Sequence, residues 1–412
     1  MVGADSVRYL PHCYSLWRRR GYRMNPLDNC MHCGLCLEEC PTYLVSGDET
    51  NSPRGRLFLM RAVENNELEF SDIAESLDKC LACGACETAC PSGVPYTHIL
   101  EQQREGRQSA MARLLQRRLL SSHLGVRAVG ILSRLGRRLG ILNLIGKLGI
   151  QRLKAMSTAV PMHPQRFRSQ PNQTWRADGE LRGRVGLHVG CANGELFGDV
   201  LNDTIRLFNQ QGFEVVRPPQ PPCCGALHSH SGDSEFGREL AQTTMQAFDG
   251  ELDAVIVAAA GCAAHLRASG DSNKPASKAQ DPVVFLHQRG WRGNPQRVAM
   301  RATHSPPCHL RNLLGEDQIV TQALAQLPGL ELLTLNEAEM CCGAGGVSFI
   351  RQPQVAAQVG DRKLDNIVAS GTECVISGNP GCLMKLSADL RQRGLLVKAL
   401  HPVTVLANAF SD

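Results

Sequence analysis

The spacing of apolar residues changes period along the 412-residue chain. Past Arg184, short apolar runs at Val185–Val189, Phe213–Val216, Ala254–Ala258, Arg297–Ala302, Leu330–Leu335 and Cys374–Ser377 alternate with stretches of helical spacing. Strands alternating with helices predict an α/β architecture. Before that point the pattern is helical. Ser52 and Pro53 supply an N-cap and a first-turn proline, so the stretch through Arg54, Gly55, Arg56 and Leu57 reads as a helix start. Ile131, Leu132, Leu135, Leu139, Leu142 and Ile145 fall near helical spacing, with Arg127, Arg134, Arg137, Arg138 and Lys147 on the polar side. Gly130, Gly136, Gly140, Gly146 and Gly149 weaken that helix. Pro161, Pro164 and Pro171 mark a linker. Residues 1–23 show little periodicity and precede Met24, where a compact module could begin.

Length predicts two or three domains. Aromatic residues are only 5%, so the cores must rest on Leu, Val, Ile and Ala. The longest uncharged apolar run, Ala254 to Leu266, is 13 residues, too short to span a bilayer. The Leu16–Arg20 stretch has no apolar core after its arginines, so no secretory signal is expected. A net charge of +5 gives no reason to expect nucleic acid. Its distribution is more informative: residues 106–177 carry fourteen Lys or Arg and no Asp or Glu. A basic amphipathic stretch of this kind suits an anionic membrane surface, or else a connecting helix packed on its own protein or an acidic partner.

The 18 cysteines cluster at metal-ligand spacings, not as a disulfide framework, which points to a reducing cytoplasmic compartment. Cys30, Cys33, Cys36 and Cys40 precede Pro41, and Cys80, Cys83, Cys86 and Cys90 precede Pro91. Both runs read Cys-x2-Cys-x2-Cys-x3-Cys-Pro, the pattern of two-cluster ferredoxins, in which the fourth cysteine ligates the other cluster. On that logic Cys30, Cys33, Cys36 and Cys90 hold one 4Fe-4S cluster, and Cys80, Cys83, Cys86 and Cys40 hold a second. Zinc is the bland alternative, but zinc sites usually separate two cysteine pairs by a longer loop. Cys13 reads as a bystander.

The second half is an internal duplication. Cys191, Cys223-Cys224-Gly225 and Gly261-Cys262 recur as Cys308, Cys341-Cys342-Gly343 and Gly381-Cys382, at offsets of 117, 118 and 120 residues. Each cysteine element follows a predicted strand, where open α/β sheets place ligands. His188, His228, His230, His304 and His309 lie near these cysteines in sequence, as proton relays or as structural residues.

With these motifs, and with Pro53-Arg54-Gly55-Arg56, the chain from about residue 25 resembles the iron-sulfur subunits of bacterial glycolate oxidase (glycolate dehydrogenase). More broadly it resembles the Cys-Cys-Gly proteins, which include lactate-utilisation proteins, heterodisulfide reductase subunits and a subunit of anaerobic glycerol-3-phosphate dehydrogenase. The resemblance implies an α+β multidomain fold, with a helical two-cluster ferredoxin domain followed by a duplicated α/β Cys-Cys-Gly domain. The expected boundaries are an N-terminal extension at 1–23, the ferredoxin domain at 24–105, a basic connector and linker at 106–183, and repeats at 184–295 and 296–412. It also implies electron transfer from FAD-containing partner subunits to a quinone-type acceptor, on the cytoplasmic face of the inner membrane. The full family motif ends each half in Cys-x2-Cys. Here the halves end Cys262-Ala-Ala-His265 and Cys382-Leu-Met-Lys385. Cys191, Cys223, Cys224 and Cys262 with His265, and Cys308, Cys341, Cys342 and Cys382, are therefore candidate sites for zinc or a further cluster, or simply buried small residues.

No flavin or nicotinamide signature occurs, since Gly343-Ala-Gly345-Gly346 departs from Gly-x-Gly-x-x-Gly. Substrate oxidation is thus expected on another polypeptide. The alternatives are a subunit serving lactate, glycerol 3-phosphate or a heterodisulfide, or a non-catalytic metal-binding redox sensor.

Overall fold

The computed structural model describes residues 25–146, 151–269 and 278–411. The expectations for residues 1–23, Cys13, Met24, Lys147 and Gly149 lie outside them. The N-terminal part is helical, with helices at Pro41–Ser46, Pro53–Glu64, Phe70–Lys79, Ala85–Thr88 and Tyr96–Arg104. Ser52 caps the second, its hydroxyl accepting from the Gly55 amide at 2.9 Å. Leu57, Met60, Ile73, Leu77, Ile99 and Leu100 from these helices form one buried cluster, against which Cys30, Cys86 and Cys90 pack.

Two sheets follow. The first joins β1 (Gln173–Trp175), β2 (Gly183–Leu187), β3 (Phe213–Arg217), β4 (Ala254–Ile256) and β5 (Ala279–Gln280) in the order β1-β3-β2-β4-β5. The second joins β6 (Met300–His304), β7 (Leu330–Leu333), β8 (Cys374–Ile376) and β9 (Lys398–Leu400) in the order β7-β6-β8-β9. Apart from β1, which runs antiparallel to β3, every pairing is parallel. The two sheets therefore share one topology, and the expected duplicated α/β fold is present. All six strands expected from apolar runs occur, although the run at Arg297 enters its sheet three residues later, at Met300. The strands not read from sequence, β1, β5 and β9, are two- or three-residue edge strands, too short to show a period.

A single core joins the repeats. Phe208 and Phe285 from the first pack with Val320, Leu324, Val403 and Leu406 from the second, between the sheets. The helix Gly198–Gln210 lies against Pro402–Ala409, and their counterparts in the opposite halves, Asp317–Ala325 and Pro282–Arg289, pack together in the same way. In each repeat the first strand has the second on one side and the third on the other, so its carboxyl end is a topological switch point. Cys191 and Cys308 stand just beyond these two ends.

The basic connector forms helices at Ala110–Leu120, His123–Arg138, Ile141–Gly146 and Gln151–Ala159. Its orientation is unusual. Arg134 pairs with Glu195 at 2.9 Å, and Arg137 donates to the Val160 carbonyl at 2.5 Å. Gly130 packs so closely on Glu195 that an added Cβ would sit 2.3 Å from its Oε2. Gly130, Arg134 and Arg137 thus face the protein, while Ile131, Leu132, Leu135, Leu139 and Leu144 are exposed together with Arg127 and Arg138. Twelve of the nineteen exposed large apolar side chains among the described residues fall between Met111 and Met162. Among the described residues no helix is long and apolar enough to cross a membrane.

Candidate metal centres

The two N-terminal cysteine runs fold alike. Each begins where a helix or turn ends, at Cys30 and Cys80, and each then carries a non-glycine residue in the left-handed region, His32 (φ 55°) and Ala82 (φ 49°). That conformation costs about 1–2 kcal/mol per residue and curls the loop back on itself. Cys40 and Cys90 close the runs, and after Cys40 the proline at 41 opens a helix.

The side chains converge on two neighbouring cavities. Cys30, Cys33, Cys36 and Cys90 line one of about 420 Å³, together with Arg54 and Tyr96. Cys40, Cys80, Cys83 and Cys86 line one of about 320 Å³, together with Arg56 and Tyr96. Cys86 and Tyr96 border both. Cys33 is exposed, whereas Cys40 and Cys80 are buried. Burial pushes the Cys36 thiol up to about 11. It raises Cys83 and Cys86 well above the usual thiol range, with neighbouring sulfurs adding to the effect. Several thiols gathered out of water cannot ionise together unless a cation compensates them. A metal cluster supplies that compensation, so these residues fit one.

Arg56 is the protein's share of the same compensation. It is 0% exposed, donates to the Ser76 carbonyl at 2.8 Å and to Thr42 Oγ1 at 3.1 Å, and lines the second cavity. Burial alone would depress its pKa, yet Tyr96, Cys80 and Cys40 hold it above the ordinary guanidinium value. Arg54 is different, half-exposed and paired with Glu49 at 2.7 Å. Of the two arginines in the helix start, one is buried beside the cysteines and one is largely a surface group.

The duplicated cysteines form two further sets. Cys191, Cys223, Cys224 and Cys262 are linked thiol to thiol, and so are Cys308, Cys341, Cys342 and Cys382. The repeated glycine has a physical reason. Gly225 (φ +96°) and Gly343 (φ +83°) are left-handed, and their amides donate to Cys223 Sγ and Cys341 Sγ at 3.4 Å. A Cβ on Gly225 would stand 2.0 Å from the Gly237 carbonyl oxygen. Hydrogen bonding to Cys223 and burial raise the Cys191 thiol, whereas donation from Cys341 and Cys382 holds Cys342 well below the usual range, with the Lys385 ammonium helping. His265 turns its Nε2 to the Gly237 carbonyl at 3.2 Å. Among the described residues, no three or more His, Cys, Asp or Glu side chains are grouped as ligands of a single metal ion.

The second cavity and the second repeat are in contact. Cys83, Cys308 and Cys341 belong to one apolar cluster with Leu81 and Met340. A π-helical turn at His309–Leu313 follows Cys308, and such turns are frequent at functional sites. From it His309 Nε2 meets the Ala82 carbonyl at 3.1 Å, and Asn312 donates to the Cys83 carbonyl at 3.0 Å.

A 4Fe-4S dicluster domain model matches residues 26–94, and a cysteine-rich domain model matches twice, at 185–267 and 302–387. A protein of Bacillus subtilis (strain 168), described as a probable glycolate oxidase iron-sulfur subunit, is 32% identical over 417 residues, which cover 92% of this chain and 93% of that protein. The chain belongs to the family of glycolate oxidase iron-sulfur subunits. The glycolate oxidase iron-sulfur subunit of Escherichia coli (strain K12) is 29% identical over 87% of this chain and 89% of its own. Lactate utilization protein A of Exiguobacterium sp. is 27% identical over 54% of this chain and 96% of its own.

In this iron-sulfur subunit the histidines near the cysteines are mostly committed to structural hydrogen bonds. His188 meets Gln220, His228 meets Ser121 and His304 meets Thr321, each at 2.8 Å, and burial pushes all three down to about 4. His230 pairs with Glu101 at 2.7 Å, and its ring lies 5.4 Å from that of His309. Sequence reasoning missed Tyr96 and Asn312. Tyr96 carries no motif, and Asn312 acts through a contact made 229 residues away.

Proposed function

We propose that this iron-sulfur subunit is the electron-transfer component of a flavin-dependent glycolate dehydrogenase. In this reading Cys30, Cys33, Cys36 and Cys90 hold one 4Fe-4S cluster, and Cys80, Cys83, Cys86 and Cys40 the second. When bound, such clusters accept and release electrons one at a time. The observation that carries the reading is the sequence of sites. A cavity with the exposed Cys33 adjoins, through Cys86 and Tyr96, a cavity whose Cys83 packs on the same apolar cluster as Cys308. The chain's own residues hold the thiols, exclude water from the inner site and set a buried cation beside it. FAD belongs to partner subunits that oxidise the hydroxy acid, and a quinone-type acceptor takes the electrons. The exposed leucines of the connector, with Arg118, Arg127, Arg138 and Arg152 also exposed, suit an anionic membrane surface at the cytoplasmic face.

An anaerobic tagged pull-down tests this, with iron, zinc and sulfide counted and glycolate-dependent dye reduction assayed. About eight irons with a copurifying flavoprotein are expected from two four-iron clusters. More iron would assign a further cluster to the duplicated thiol sets, and zinc a structural ion. Cys33→Ser should remove one cluster and stop quinone reduction while leaving glycolate binding by the partner intact. Undiminished quinone reduction in that variant would refute the electron path, and activity on lactate alone would move the substrate to that of the lactate-utilisation relatives.

A further inference from the structure

A third cavity, larger than either cysteine-lined one and open at its mouth, lies on the second repeat. Its walls are mainly apolar and of low relief: Ala155, Ala159, Ala356 and Ala388 with Phe349 and Pro353. Polar groups stand beside them: Lys154, Thr158, Gln354, Asp389 and Gln392, with Lys385. Lys385 lines it while 6% exposed, paired with Asp389. Ala159, Phe349 and Ala356 also belong to the buried cluster that contains Cys342 and Cys382, so the cavity wall and the thiol set are continuous. The outer wall is the helix Gln151–Ala159, which follows the connector whose leucines face outward. In the first repeat the position of Lys385 is taken by His265, which is turned to a backbone carbonyl.

We propose that this cavity binds a quinone, with a ring carbonyl accepting a hydrogen bond from Lys385 and the isoprenoid tail leaving along the connector. A flat lipophile fits walls of alanine, proline and phenylalanine. A redox-active lipophile has reason to lie against a wall continuous with a thiol set, and an ammonium stabilises the negative charge that grows on its oxygens. Reduction takes two electrons, delivered singly from the subunit's iron-sulfur groups, and two protons from water at the mouth, and yields the hydroquinone. The source of the electrons, a hydroxy acid oxidised on a partner, rests on the function proposed above.

The test is direct binding of decylubiquinone, a short-chain benzoquinone, to the iron-loaded complex by equilibrium dialysis. It is run on the wild type, Lys385→Met and Ala357→Trp, with iron counted in each. Ala357 is exposed at the cavity mouth, so a Trp there can block entry without repacking the interior. Saturable wild-type binding, weakened at least tenfold in both variants, is expected. Unsaturable binding, or wild-type affinity retained in both variants, would overturn the proposal. If Lys385→Met loses iron, Ala357→Trp alone decides. Glycolate-dependent dye reduction by the wild-type complex reports separately on the function proposed above, whatever the binding result.

Discussion

Replacing Arg56 with Gln should lower the midpoint potential of the cluster proposed at Cys40, Cys80, Cys83 and Cys86. Reduction adds one negative charge to a group that the guanidinium borders from a position 0% exposed to solvent. Unit charges at an effective dielectric of about 20 interact by about 4 kcal/mol at 4 Å and about 2 kcal/mol at 8 Å. For a one-electron couple about 1.4 kcal/mol corresponds to 59 mV, so the expected fall is about 90–170 mV. The variant also removes donors from the Ser76 carbonyl and Thr42 Oγ1. Each left unpaired costs about 1–3 kcal/mol. Stability and potential therefore need separate readouts. Redox titration of the anaerobic complex, followed by electron paramagnetic resonance with iron counted, gives the potential. Arg56→Lys should restore most of it while recovering the hydrogen bonds less well, because Lys lacks the planar fork. Arg54→Gln is the internal control, since Arg54 borders the first cavity and not the second, and its partner Glu49 and solvent screen its charge. An Arg56→Gln protein with full iron and an unshifted potential would refute the electrostatic role.

Two further outcomes follow from the surface and from the repeat interface. Leu132→Glu with Leu135→Glu should abolish flotation of the complex with anionic vesicles at low salt, and failure of the wild type to float would end the membrane reading. Asp281 is fully buried, caps its helix through the Val283 and Val284 amides, and burial pushes its carboxyl from 3.8 up to about 7. Between those values the folded chain holds a proton that the unfolded chain has lost, so stability falls as pH rises, by about 1.4 kcal/mol per unit. Asp281→Asn keeps the cap acceptor, and its gain in Tm over wild type should grow from pH 5 to pH 7. A gain that does not change with pH would show that Asp281 ionises freely in the fold.

The fold class was legible because each half alternates strands and helices with cysteines at strand ends, and because the offsets of 117, 118 and 120 residues leave little slack. Local chemistry was legible too, as in the Ser52 cap. Contacts that join distant segments were not. Nothing in the spacing of Arg54 and Arg56 tells which is buried. That depends on Thr42 and Ser76, brought in by two other helices. The connector shows the limit of periodicity most clearly. Its pattern predicts an apolar face and a basic face, but a moment has no sign relative to the rest of the protein. Glu195 draws Arg134 inward, and Gly130 allows the close approach, so the leucines end up outside.

Duplication supplies two thiol sets of the same build, and their surroundings then differ. The second set meets the cluster module through Cys308 and Cys83 and is flanked by Lys385 and an open cavity. In the first set hydrogen bonding to Cys223 raises the Cys191 thiol, and nearby His230 and Gly232 brace the module through hydrogen bonds to Arg104, Glu101 and Gly106. The segments that carry Cys262 and Cys382 also meet across the join, where the Gly261 amide donates to Asn379 at 3.3 Å and Ala260 to the Gly378 carbonyl at 3.3 Å. Electron transfer needs sites in close succession, whereas docking needs only directional contacts. On the function proposed above, the division of contacts therefore favours the second repeat as the continuation of the electron path and the first as its brace. A pseudo-symmetric pair can hold both roles because the join fixes the two sets relative to each other, while the residues outside it are free to diverge.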